Sequence, residues 1–153
     1  MEYRKDKRTK NLTLREIHVG DWVQAWGEET ERYTSPQKIT QICDDGTIYL
    51  IGSEDERPMP LEENIKNIDT LRIDNKVLRG FGFVYAKNKS YKLAIDNDKD
   101  LIYSLSENYF YVKDKSAKSK SEKYYAFTIN DLQYKSYRFL KYNLKLEWKG
   151  VDK

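Results

Sequence analysis

Lys38-Ile39-Thr40-Gln41-Ile42-Cys43-Asp44-Asp45-Gly46-Thr47-Ile48-Tyr49-Leu50-Ile51 reads as a β-hairpin. Lys38–Cys43 carries the apolar pair Ile39 and Ile42. Asp44-Asp45-Gly46 supplies a tight turn in which the glycine accepts positive φ, and Thr47–Ile51 returns as the partner strand. A hairpin this well marked predicts an antiparallel sheet, and the neighbouring segments extend it in both directions.

Upstream, Ile17 and Val19 alternate, Gly20-Asp21 makes a turn, and Trp22-Val23-Gln24-Ala25-Trp26 reads as a strand with Trp22 and Trp26 on one face. Downstream, Gly52–Pro60 holds two prolines and an acidic run, which predicts a surface connection followed by an edge strand at Arg57–Met59. Short strands punctuated by turns predict a small SH3-like barrel over residues 14–68. Residues 1–13 form a polar, basic arm without hydrophobic pattern.

The remainder, residues 69–153, is expected to be an antiparallel meander with one helix and a final strand. A short helical turn over Asp74–Leu78 takes Asp74 as its N-cap and ends before Gly80 and Gly82. Strands follow at Phe83–Ala86, Tyr91–Ile95, Leu101–Leu105, Tyr109–Lys113 and Tyr124–Ile129, with a solvated lysine-serine loop at Lys113–Lys123. Asn130 and Gln133 fit a capping pair for a helix over Asp131–Lys141, and Leu144, Leu146 and Trp148 alternate as a last strand. The fold class is mainly β with minor helix.

The formal charge of +3 is a small difference between 28 basic and 25 acidic side chains, so distribution matters more than the sum. Met1–Lys10, Lys113–Lys123 and Tyr134–Lys149 are basic, and Glu54–Asn64 is acidic. A single cysteine excludes an intramolecular disulfide and a thiolate metal cage, which fits a reducing compartment. No apolar run approaches the roughly 20 residues that span a bilayer, and the N-terminus begins with charges. A cytoplasmic location in a host cell, with no membrane partner, is the expectation.

The Gly20-Asp21-Trp22-Val23 opening, the Asp45-Gly46-Thr47-Ile48-Tyr49-Leu50 hairpin, the short helix closing at Gly82-Phe83 and the Ile129-Asn130-Asp131-Leu132-Gln133 segment are the landmarks. In this order they resemble a set of uncharacterised small accessory proteins carried by phages and mobile elements of gut anaerobes. The set has a histidine where this chain has Asn130, so no role of that histidine transfers. The resemblance implies a viral or mobile-element accessory protein, with counter-defence as one such role, and implies no activity.

Catalytic patterns are thin. Asp96, Asp98, Asp100 and Glu107 fall at EF-hand ligand spacing, but Leu101 stands where the loop needs glycine, and the flanks read as strands. An acidic hairpin turn is the simpler reading. His18 and Cys43 lack an evident third partner for nucleophilic chemistry, and Gly80-Phe81-Gly82 lacks the rest of a phosphate loop. No catalytic residue, metal or cofactor is assigned.

Binding remains, in two forms. Trp26, Tyr33 and Arg57 define an expected protein-binding patch for a host protein or a second copy of the chain. The alternative is a nucleotide or single-stranded nucleic-acid platform in which rings stack on bases and cations meet phosphate. Its residues are Tyr109, Tyr111, Lys113, Lys115, Lys118, Lys120, Tyr124, Tyr134 and Arg138.

Overall fold

A computed structural model describes residues 17–27, 31–52 and 61–150. The basic arm and the expected edge strand at Arg57–Met59 lie outside the described residues. The chain divides into two compact units, Met1–Leu71 and Arg72–Lys153, three residues beyond the expected boundary.

The first unit is a curled antiparallel half-barrel of the SH3-like kind expected, made of β1 (Trp22–Gly27), β2 (Arg32–Tyr33), β3 (Gln37–Ile42), β4 (Thr47–Gly52), β5 (Leu61–Asn64) and β6 (Ile68–Thr70). Strand order is β2-β1-β3-β4-β5, and β6 returns to pair with β1. A 3-10 turn, Ile65–Asn67, links the last two strands. The expected Lys38–Ile51 hairpin is β3–β4, with Gly46 at φ 96 in its turn and Asp45 accepting from the Thr47 amide at 2.9 Å.

Period-2 alternation sends Val23 and Ala25 inward to meet Ile17, Ile39, Ile48, Leu50 and Ile68. Trp22 and Trp26 share the opposite face of β1, and both are also buried. Of the alternating pair before β1, Ile17 is buried, and Val19 is exposed on the turn.

The second unit holds α1 (Asn75–Gly80), β7 (Val84–Tyr85), β8 (Ser90–Asp96), β9 (Lys99–Ser104), β10 (Tyr109–Asp114), β11 (Ser119–Lys120), β12 (Tyr124–Tyr125) and α2 (Ile129–Leu140). Its antiparallel sheet runs β11-β10-β9-β8-β7, with β12 also on β10. Asp74 caps α1 as expected, accepting from the Val77 amide at 2.8 Å.

Three local expectations are corrected. The lysine-serine stretch is not an open loop: Lys113 and Asp114 pair with Lys120 and Ser119, and the Asp114 carboxylate gathers the amides of Ser116 and Ala117. These contacts, the Ala117 amide first, hold that carboxyl below its ordinary value. The α2 cap is Thr128, not Asn130, because its hydroxyl accepts from the Asp131 amide and its backbone is extended. Leu144 and Leu146 are buried in alternation, but the stretch after α2 forms no ladder among the described residues.

One face of the second sheet is apolar. Tyr91, Leu101, Tyr103, Phe110 and Val112 are buried there. The Tyr103 hydroxyl donates to the Ala126 carbonyl at 2.6 Å, and burial pushes its pKa up to about 12. The helix α2 lies on this side: Tyr124 sits opposite Phe110 in the ladder, and Phe139 stacks on Tyr124 at 5.2 Å, 8° from parallel.

Charge follows the same division. Residues 1–71 hold 15 acidic and 10 basic side chains, whereas residues 72–153 hold 10 acidic and 18 basic, so the units carry −5 and +8.

Candidate functional site

Because neighbouring strand residues point to opposite faces, burying Phe110 and Val112 forces Tyr109, Tyr111 and Lys113 onto the other face of the sheet. Register adds the rest. Tyr125 of β12 stands opposite Tyr109, and Lys120 of β11 stands opposite Lys113. On β9, Ile102 is paired with Tyr111, and on β8 Lys92 is paired with Ile102.

The rings on this face are ordered by one another and by ammonium groups. Tyr109 lies 6.3 Å from Tyr111, and 6.3 Å from Tyr125 at right angles. The Lys123 ammonium sits over Tyr109 at 4.6 Å, and that of Lys120 over Tyr111 at 5.7 Å. Each exposed contact of this type is worth about 0.5–1 kcal/mol, enough to bias a lysine rotamer and too little to lock it. An incoming base or phosphate can therefore displace or recruit these cations at small cost.

The sequence-predicted platform is only partly brought together. Tyr109, Tyr111, Lys113 and Lys120 share the face. Tyr124 is on the helix side, and Tyr134 and Arg138 are exposed on α2, across the sheet. Lys115 and Lys118 occupy the β10–β11 turn, where Lys115 reaches Asp100 at 3.6 Å and Lys118 takes φ 53. The expected site holds Tyr124 and lacks Tyr125, Lys92, Ile102 and Lys123, which the structure places on this face or over its rings. Adjacent tyrosines in a strand must face opposite ways, a signal that says one of the two is wrong without saying which.

The expected protein patch does not assemble as an exposed surface. Trp26 is only 7% exposed and meets the Tyr33 ring edge at 5.0 Å, while the Tyr33 hydroxyl donates to Asp69 at 2.7 Å. Arg57 lies outside the described residues. These aromatics pack the half-barrel.

The remaining motifs are structural. Asp96 ends β8 and Asp100 is buried within β9, so the expected acidic turn shrinks to Asn97-Asp98, where Asp98 shares the Ser116 hydroxyl with Asp114 at 2.7 and 3.0 Å. No group of three metal-binding side chains occurs among the described residues. Cys43 closes the β3–β4 turn through its amide and carbonyl.

His18 is engaged with Asp21, whose buried carboxylate accepts the His18 amide at 2.8 Å and lies 3.7 Å from Nδ1. Burial outweighs these contacts and pushes the Asp21 pKa up to about 6. The folded protein thus holds this proton more tightly than the unfolded chain does, so stability falls as pH rises from about 4 to above 6. Asp21→Asn keeps an acceptor for the His18 amide and removes the charge. Thermal unfolding from pH 4 to 8 should show the substituted protein gaining on the order of 3 kcal/mol over wild type at pH 8 and little at pH 4. A gain independent of pH would show that Asp21 is ionised throughout.

No family model, curated protein or solved structure matches this chain. Among the described residues, no helix is long and apolar enough to cross a membrane.

Proposed function

We propose that this chain is a non-enzymatic binding protein whose second unit holds a nucleotide or single-stranded nucleic acid on the outer face of its sheet. The observation that carries this reading is the alignment of Tyr109, Tyr111 and Tyr125 on one face with Lys120 and Lys123 over two of the rings. Rings offer stacking to any base, and lysines offer charge to the phosphates between bases. The net +8 of residues 72–153 adds long-range attraction for a polyanion. In the phage or mobile-element setting that the resemblance suggests, such a face would sequester a nucleotide signal or a single strand in the host cell.

Capture of a host protein is a second reading, now favoured by a different surface. Tyr137 is 64% exposed on α2, beside exposed Tyr134 and Arg138, residue types enriched where protein interfaces are strongest.

Salt separates the two. Neutralising four phosphates through Lys92, Lys113, Lys120 and Lys123 gives a slope of log K against log salt of about −3 for a single strand. Fluorescence anisotropy with a labelled twelve-nucleotide strand, from 50 to 300 mM salt, should show that dependence. Absence of binding at 50 mM salt would refute the platform.

A further inference from the structure

The sheet of the second unit has an unfinished edge. Strand β7 is two residues long and pairs with Tyr91 and Lys92, so among the described residues Leu93–Asp96 continues past its end without a strand neighbour on that side. The Ser90 amide and carbonyl both bond toward β7, to Lys87 and Ala86. By the two-residue alternation of a strand, Lys92 and Ala94 present their backbone groups the same way. Among the described residues no strand meets Ala94 there, and its side chain is exposed.

Alongside this edge runs the extended stretch after α2. Tyr142 lies under the Lys99 ammonium at one end, and the Lys149 amide bonds to the Gly80 carbonyl at 2.7 Å at the other. Asn143, Leu144 and Lys145 make no backbone hydrogen bond to β8 among the described residues. Between the two lies an open groove of about 450 Å³, lined by Phe81, Leu93, Ile95, Leu144 and Leu146, with Lys145, Glu147 and Lys149 at its rim.

We propose that this groove takes up an extended acidic peptide as an added β-strand, paired to β8 at Ala94. Three features of the site select that occupant. An edge amide and carbonyl give main-chain hydrogen bonds, which bind any extended chain. The apolar walls receive side chains at alternate positions, and at the rim the exposed Lys145 and Lys149 outnumber Glu147 within a unit of net +8, so acidic residues at the remaining positions meet a net positive charge. The groove is distinct from the Tyr109–Tyr111–Tyr125 platform, and neither depends on the other.

The test uses the full chain and a fluorescent hexapeptide alternating valine and glutamate. Measurable binding is expected, at least tenfold weaker when lysine replaces glutamate in the peptide, and at least tenfold weaker when the peptide is N-methylated at alternate amides. Ala94→Pro removes the edge donor at a position where proline is tolerated, and should weaken the peptide at least tenfold while leaving oligonucleotide binding unchanged. If that variant does not fold, the N-methylated peptide decides alone. Equal affinity for methylated and unmethylated peptide, displacement by a twelve-nucleotide strand, no binding, or self-association of the chain through this edge would each overturn the proposal.

Discussion

Gly80→Ala should destabilise the second unit by about 2–4 kcal/mol, although alanine normally improves a helix position over glycine by about 1 kcal/mol. Gly80 ends α1, and a Cβ there would overlap the Trp148 ring, whose Cζ3 and Cη2 lie at 2.0 and 2.2 Å from the required position. That ring cannot retreat freely. It meets Phe81 edge-on at 5.1 Å, and its neighbour Lys149 is bonded through the backbone to Gly80 itself. Moving the indole forfeits a ring pair worth about 0.5–1.5 kcal/mol beyond its buried area. Urea unfolding of Gly80→Ala, Trp148→Ala and the double variant forms a cycle in which the double variant should be less damaged than the sum of the singles. Additive losses would show that glycine is required here for another reason.

Replacing Tyr109, Tyr111 and Tyr125 together by alanine should abolish measurable binding of a single strand at moderate salt. Stacking is worth about 1–3 kcal/mol per base, so the triple variant loses at least a hundredfold. Lys120→Glu with Lys123→Glu should lose at least tenfold at 100 mM salt and reduce the salt slope by roughly the contribution of two phosphates. All five side chains lie on the sheet face away from α2, so circular dichroism and melting temperature should change little. Tyr124→Ala is the control. It removes a ring stacked on Phe139 and should lower stability with little effect on affinity. The opposite pattern, affinity lost with Tyr124 and retained without the other three, would place the ligand on the helix side.

What the sequence made legible was whatever depends on local pattern. The β3–β4 hairpin follows from two apolar runs about a turn that only Gly46 fits comfortably, and the Asp74 cap follows from an acid placed before a short helical run. Legibility stopped where distant backbone decides. Thr128 and Asn130 are both good caps. Thr128 takes the role because Phe127 and Thr128 are held extended, the first by the Ile73 amide and the second by a bridge to Arg72. The alternation of Leu144 and Leu146 is genuine, but it reports burial on one side and not a place in a sheet, for the segment joins no ladder among the described residues. The platform itself was half visible. Tyrosine and lysine enrichment named the region, but the choice between Tyr124 and Tyr125 rests on a two-residue pairing with β10 that no local signal encodes.

The opposite charges of the two units have a practical consequence. An isoelectric point near 8.7 describes neither half of the chain. Separated at the Leu71–Arg72 boundary, the halves would migrate toward opposite electrodes at neutral pH, the first as an anion and the second as a cation. Whole-molecule measurements of charge, such as retention on an ion exchanger, therefore understate how selectively one half would be drawn to a polyanion.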